Sequence, residues 1–312
     1  MNVFRTKLSA IFLPLVLVAA PALAAIPAHP GMLNYVEGQA RVNERAVTSA
    51  SVGTIDIADG QVIETGNGKA EILLTPGVFL RLGDNSAARM ESAGLTDTRV
   101  AILSGRAMIE ADNIQKENNI RIAIGDAVSR LEKNGLYRFT ANPSEVAVFD
   151  GKVQVTENDQ SVDAGKGRKV NLQTPLHATK FDRHAEENDP LYSWSKVRSQ
   201  YLADASAQQA RTLVVNNSGW FGGGWYWNPG FGMYSWIPAN GVFWAPFGWG
   251  FYSPVTVWQA PVIYRGYYPG YRRAVVPGYR GAVVPGGRVR VPAGPAFRAH
   301  QFHGTPRIGG RR

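Results

Sequence analysis

Val100-Ala-Ile-Leu-Ser-Gly-Arg-Ala-Met-Ile109 and Val146-Ala-Val-Phe-Asp-Gly-Lys-Val-Gln-Val155 lie 46 positions apart and follow one pattern. Each reads as an apolar-rich strand, a glycine, a basic residue and an alternating strand. Gly105 and Gly151 hold the same place in both copies. Glycine supplies the positive φ that a tight turn between strands often needs, so a turn is expected at each. A strand-turn-strand unit used twice predicts a β-rich module built from similar pieces.

The neighbouring sequence, roughly residues 31–173, keeps this character. Asn34 to Val42 reads as strand, turn at Gly38, strand; Gln61 to Thr65 leads into Gly66-Asn67-Gly68, and Ala70 to Leu74 follow as another strand. Thr75-Pro76-Gly77 turns the chain again, and Val78-Phe79-Leu80-Arg81-Leu82 alternates less cleanly. Pro-Gly and Asn-Gly pairs mark turns, and the β-branched runs between them favour strands. The fold class is all-β.

Several of these residues carry a resemblance: Asp59-Gly60-Gln61-Val62-Ile63-Glu64-Thr65-Gly66, then Ala70-Glu71-Ile72-Leu73-Leu74 before Pro76-Gly77, the two blocks at Val100 and Val146, and Val162-Asp163-Ala164-Gly165-Lys166-Gly167. In order and spacing the stretch is similar to the FecR-like domains of bacterial envelope proteins. The resemblance covers about residues 31–173. It implies a twisted β-solenoid-like or sandwich-like extracytoplasmic domain that is not an enzyme. FecR-type sigma regulators carry a cytoplasmic sigma-binding segment before a membrane helix. Here only Met1 to Lys7 precede the apolar run, which is expected to leave no sigma-binding part. A signalling role that senses an outer-membrane receptor is the alternative the resemblance implies.

The N-terminus reads as an address. Arg5 and Lys7 precede an apolar run from Ala10 to Ala20, and Pro21-Ala22-Leu23-Ala24-Ala25 offers an Ala-x-Ala cleavage site. This is the pattern of a secretory signal peptide over residues 1–24, and the run is shorter than the roughly 20 residues a spanning helix needs. A periplasmic or secreted protein is expected, with no transmembrane span in the mature chain. The chain has no cysteine, which excludes disulfides and a lipid-modified cysteine anchor.

Past a linker at 174–188, a helix is expected over residues 189–210. Asp189 suits the N-cap, Pro190 the first turn, and Leu191, Trp194, Val197 or Arg198, Tyr201 and Ala205 recur at helical spacing. The segment 212–264 is aromatic and Gly/Pro-rich. Between Gly219 and Trp258 stand fifteen aromatic residues and nine glycines, with no charged residue from Thr212 to Tyr264. Prolines recur every seven to nine residues from Pro229 to Pro292. Proline cannot sit in a central strand, so this beat predicts short extended pieces broken by turns. The aromatics have three readings: packing on the β body, stacking on sugar rings, or an interfacial membrane belt. As glycan or partner contacts the candidates are Trp220, Trp225, Tyr226, Trp227, Trp236, Trp244 and Trp249. The run Trp225 to Tyr234 resembles aromatic segments that accompany exported FecR-like proteins.

The last part, residues 265–312, repeats Tyr271-Arg-Arg-Ala-Val-Val-Pro-Gly278 as Tyr279-Arg-Gly-Ala-Val-Val-Pro-Gly286. With few large aliphatics beyond valine it is expected to be a disordered basic tail. From Ala205 onward there are eleven arginines and no Asp, Glu or Lys, so residues 25–204 hold 24 acidic against 20 basic side chains, a net −4. An acidic body with a basic tail predicts attraction to polyanions. Arg272, Arg273, Arg280, Arg288, Arg290 and Arg298 are the candidate contacts to an anionic envelope surface. Export argues against nucleic acid as the partner.

For catalysis the sequence offers no nucleophile elbow, phosphate loop or zinc signature. His300 and His303 stand without cysteine or acidic companions, so no metal or other cofactor is expected. Asp84, Glu91, Glu110 and Asp150 fall near predicted turns, where solvated carboxylates are expected. Arg106 and Lys152, the basic residues after the paired glycines, are read as solvated turn charges. The sequence therefore predicts a non-catalytic envelope module that binds or scaffolds, with an envelope protein, an anionic surface or a glycan as partner.

Overall fold

The computed structural model describes residues 27–173, 175–216 and 222–260. The signal peptide expected at 1–24, Trp220, His300, His303 and the basic tail expected at 265–312, with all its candidate arginines, lie outside them. In chain order the strands are β1 (Leu33–Val42), β2 (Arg45–Val47), β3 (Val62–Thr75), β4 (Val78–Leu82), β5 (Ala87–Ala93), β6 (Thr98–Ser104) and β7 (Arg106–Ala111). They continue with β8 (Ile120–Ile124), β9 (Ala127–Leu131), β10 (Gly135–Ala141), β11 (Ser144–Asp150), β12 (Lys152–Glu157), β13 (Gln160–Gly165), β14 (Arg168–Asn171) and β15 (His177–Lys180). One helix, α1 (Pro190–Val215), follows, and then two hairpins, β16 (Gly224–Asn228) with β17 (Met233–Ile237) and β18 (Val242–Trp244) with β19 (Gly250–Tyr252).

The first fifteen strands form a single sheet in the order β13-β12-β9-β8-β6-β5-β3-β4-β7-β10-β11-β14-β15, with β1 beside β3 and β2 beside β1. Every neighbouring pair is antiparallel except β6 with β8. The seam is β3: Val62 to Glu64 pair with β5, while Ala70 to Thr75 pair with β4. The sheet therefore divides at β3 into two halves. Their inner faces enclose one core, with Val100, Ile122 and Val153 from the first half and Leu80, Ile109, Phe139 and Val148 from the second. The two ends of the order also meet, where Leu176 N, just before β15, donates to Gln160 Oε1 of β13 at 2.9 Å. The fold is sandwich-like rather than solenoid-like, because successive strands reverse instead of coiling in parallel.

Two expectations about turns are corrected. Gly38 and Gly66-Gly68 do not separate strands; β1 and β3 run through them and bend together. Gly38 pairs with Gly68, and a Cβ added at Gly38 would lie 2.2 Å from the Asn67 carbonyl oxygen, one at Gly68 2.5 Å from Gln39 N. Absent side chains let the two backbones crease at one point. Gly105 and Gly151 are likewise not hairpin turns. β6 and β12 belong to the first half of the sheet, β7 and β11 to the second. Each glycine, at φ +68° and +97°, is a corner where the chain crosses between halves. Pro76-Gly77 is the tight turn the sequence predicts, with Gly77 at φ +86° between paired Thr75 and Val78.

The helix begins as its sequence implies. Asp189 Oδ1 accepts from Leu191 N at 2.8 Å and Tyr192 N at 3.1 Å, with Pro190 in the first turn. The helix runs five residues beyond the expected end, to Val215. Its inward face is polar and small: Ser195, Arg198, Ser199, Ser206 and four alanines are buried beside Leu191 and Leu202. Trp194 and Tyr201 are only half-buried, and Val197 is exposed. Small residues let the helix approach the sheet closely; Leu191, Arg198 and Ala205 of the expected stripe are buried, while Ser195 and Leu202 take the inward places expected of Trp194 and Tyr201. In the aromatic segment, β16 and β17 stop directly before Pro229 and Pro238, and β19 stops two positions before Pro254.

Candidate functional site

The second half of the sheet is covered on both sides. Strand pairing places Glu71 opposite Arg81, Arg81 opposite Met108, and Phe79 opposite Glu110, so these side chains share the face that points away from the inner core. Alternation of this kind, charged on one face and apolar on the other, ordinarily marks a solvent-facing surface. Here α1 and the aromatic hairpins lie over it. Leu202, Ala203 and Ala205 of the helix and Met233, Tyr234, Trp236 and Phe251 of the hairpins belong to the main core cluster.

Beneath this cover sits a buried charge cluster. Arg81 is fully buried and donates from Nε to Glu71 Oε2 at 2.8 Å and from Nη1 to Glu110 Oε2 at 2.5 Å. Arg198 reaches down from α1, donating to Glu71 Oε1 at 2.9 Å and lying 3.9 Å from the centre of the Tyr35 ring. Ser199 Oγ donates to Glu110 Oε1 at 2.5 Å. Asn34 joins three elements: its Nδ2 donates to Glu71 Oε1 at 3.0 Å and to the Tyr234 carbonyl at 3.1 Å, and its Oδ1 accepts from Tyr234 N at 2.8 Å. The helix is thus tied to the sheet by charge-assisted hydrogen bonds, and the first hairpin by neutral ones through Asn34, all removed from water.

The electrostatics follow from counting. Three buried carboxylates, Glu71, Glu110 and Asp112, face two buried guanidiniums, Arg81 and Arg198. Burial alone would raise Glu71, but Arg198 and then Arg81 overcome it and hold the carboxyl at about 2. Burial pushes Glu110 up against the pull of Arg81. Asp112 is pushed well above the ordinary range, first by burial and then by the neighbouring charge of Glu110. Neither Asp112 oxygen receives a hydrogen bond from a protein donor. A proton on Asp112 removes the surplus charge and lets it donate to Glu110.

Glycines in turns of the β body seat the aromatics. A Cβ at Gly53 would stand 2.6 Å from the Trp227 ring, and one at Gly77 would stand 3.1 Å from the Trp236 ring. Trp236 also packs on Phe243 and Phe251, with ring centres 5.2 and 5.3 Å apart.

The candidate contacts of the aromatic segment therefore separate. Trp236 is core and presents no face to a ligand. Trp225, Trp227 and Trp249 are half-buried against the main core, and Tyr226 packs on a smaller cluster formed by Ala207, Ala210, Ile237, Tyr252, Val257 and Ala260. Trp244 is exposed on β18, and so is Trp258, which was not among the candidates. Of the carboxylates expected to be solvated, Glu110 is corrected: it lies in the buried cluster because its strand is covered on both faces. Asp84 pairs with Lys69 at 3.2 Å and Asp150 with Lys166 at 3.1 Å, both at the surface. Arg106 pairs with Asp189 at the start of α1, whereas Lys152 pairs with Glu132 at 2.9 Å and Asp163 at 2.7 Å. The two equivalent residues thus serve different junctions, and neither is a lone turn charge. Sequence reasoning missed Glu71, Arg81 and Arg198; the signal was the polar positions alternating on adjacent strands together with a serine-rich helix.

Among the described residues no helix is long and apolar enough to cross a membrane. No curated protein matches the chain. Two crystal structures described as "a putative anti-sigma factor" from Parabacteroides distasonis are similar at 14% and 15% identity, with TM-scores of 0.35 and 0.34. Each similarity covers 39% of this chain and 61% of that one, less than two thirds of its length. Residues 61–154, from the seam strand through both glycine corners to β12, match the family model for FecR protein. The mostly β body of this chain therefore contains a FecR-like domain.

Proposed function

We propose that this chain is a non-catalytic, exported envelope module that binds or scaffolds a partner and is held at an anionic surface by its arginine-rich end. The observation that carries the reading is the charge division: every acidic residue precedes Ala205, and eleven arginines follow it without a single acid. The buried cluster supports a structural rather than a catalytic use of its carboxylates, since Glu71 and Glu110 are fully enclosed and Asp112 is 1% exposed. Their work is to clamp the cover to the sheet.

Residues 205–260 contribute to the core, so deleting everything after Ala205 would damage the fold itself. The test is a full chain in which Arg272, Arg273, Arg280, Arg288, Arg290 and Arg298 are changed to Gln. Wild type is expected in the envelope fraction at low salt and to wash off as salt rises, while the variant is expected in the soluble fraction. Equal partitioning of the two overturns the reading.

The family match at 61–154 favours a second reading, a FecR-type signalling protein that senses an outer-membrane receptor. Crosslinking in intact cells separates the two. A receptor captured through the β body, independently of the tail arginines, supports signalling.

A further inference from the structure

Large apolar side chains are not scattered evenly over the surface. Val214 and Val215 at the end of α1 are 53% and 80% exposed, Trp244 on β18 is 63%, and Val255 and Trp258 just beyond β19 are 64% and 70%. The helix end and the second hairpin are joined by the small cluster of Ala207, Ala210, Tyr252 and Val257, with Leu213 packed against it. The Trp244 ring lies 6.5 Å from that of Tyr252, and Trp258 Nε1 donates to the Val255 carbonyl at 3.1 Å. Five of the eight exposed large apolar side chains among the described residues thus stand on segments that this small cluster joins, just before the chain leads on toward the arginines. This face makes little use of its indoles for packing.

We propose that this tip is a membrane-contacting surface, with Trp244 and Trp258 entering the headgroup layer of an anionic bilayer. The proposal rests on the reading of the chain as an envelope-bound module and names the part that meets the lipid. Indoles favour the membrane boundary, where the ring is apolar and its N–H is wet. The stretch from Thr212 to Tyr264 contains no charged residue, and the guanidinium beside it, Arg211, which donates to the Ala260 carbonyl at 2.8 Å, carries the sign that anionic headgroups attract. The following arginines complement anionic headgroups, and two weak signals together anchor where one alone does not.

The test uses the full chain with vesicles of phosphatidylglycerol brominated on the acyl chains, reading both sedimentation and quenching of indole fluorescence. Residues 1–193 contain no tryptophan, so quenching does not report the apolar N-terminal run. Wild type is expected to be quenched, and the W244S/W258S double variant to lose that quenching and bind about tenfold more weakly. A wild-type chain that sediments without quenching overturns the tip and leaves the envelope reading standing. A chain that neither sediments nor is quenched removes both. Equal quenching on neutral phosphatidylcholine overturns the choice of an anionic bilayer. Protection of these indoles from acrylamide by a neutral polysaccharide, or by self-association without lipid, overturns the membrane as occupant.

Discussion

The two halves of the sheet share strand β3 and one core, and differ in pairing only at the parallel β6–β8 contact, yet their outer faces differ in kind. In the half built on β5, β6, β8, β9 and β12, outward charges meet water and pair there, as Arg99 does with Glu91 at 4.0 Å and Arg130 with Glu132 at 3.0 Å. In the half built on β4, β7 and β10, equivalent outward positions hold Arg81 and Glu110, which the helix and hairpins seal in, and Arg138, which donates to Glu186 of the linker at 2.6 Å. The same alternating pattern thus gives a solvated surface on one side and an internal clamp on the other. What decides between them is not the strand but what the chain later lays over it.

The comparison breaks most sharply at Arg81. Arg81→Ala leaves Glu71 with Arg198 alone and strips Glu110 of its guanidinium, so a loss of about 3–5 kcal/mol is expected in urea unfolding, enough to unfold a marginal domain. Trp236→Ala empties the seat above Gly77 and is expected to cost about 3–5 kcal/mol by the same measurement. A retained native midpoint in either variant would show that the cover adds little.

Acidity sharpens the comparison. Asp112 titrates higher in the folded than in the unfolded chain, so the folded state binds more protons and stability falls as pH rises from about 4 through the folded value. Glu71 works in the opposite direction, since its folded value of about 2 makes its contribution complete above its ordinary value of 4.5 and lost as pH falls through 2. Asp112→Asn is expected to flatten the decline on the alkaline side while leaving the acid limb intact. Urea melts at a series of pH values read both limbs. An unchanged alkaline limb would place the shared proton elsewhere.

The smallest effect belongs to the open half. Arg99→Ala removes an exposed pair and is expected to change stability by less than about 1 kcal/mol, with the difference shrinking in high salt.

Much of the β body is legible in the residues. Pro76-Gly77 specifies its turn chemically, Asp189-Pro190 specifies the start of the helix, and prolines punctuate the hairpins. The crease at Gly38 and Gly68 is not legible as such, because glycine permits a turn and a bend equally, and only pairing between strands 30 residues apart tells them apart. The same holds for Gly105 and Gly151, whose repetition marks corners but not which strands flank them. The clamp is hidden for a further reason. Glu71, Arg81 and Glu110 look like a wet face on local evidence, and the helix residues that meet them, Ser199 at Glu110 and Arg198 at Glu71, stand 89 and 127 positions later. The helix itself misleads, since its inward side uses serine and alanine where an apolar stripe is the usual sign.

The Asn34 bridge has a consequence in time. Its partner, Tyr234, stands 200 residues away, and Glu71 meets Arg198 across 127. Contacts so distant in the chain close slowly, because a long loop must be ordered before they reward it. During synthesis the first strands emerge long before the residues that complete them, so the molecule cannot lock early. The clamp closes only once Tyr234 has joined the strands that await it.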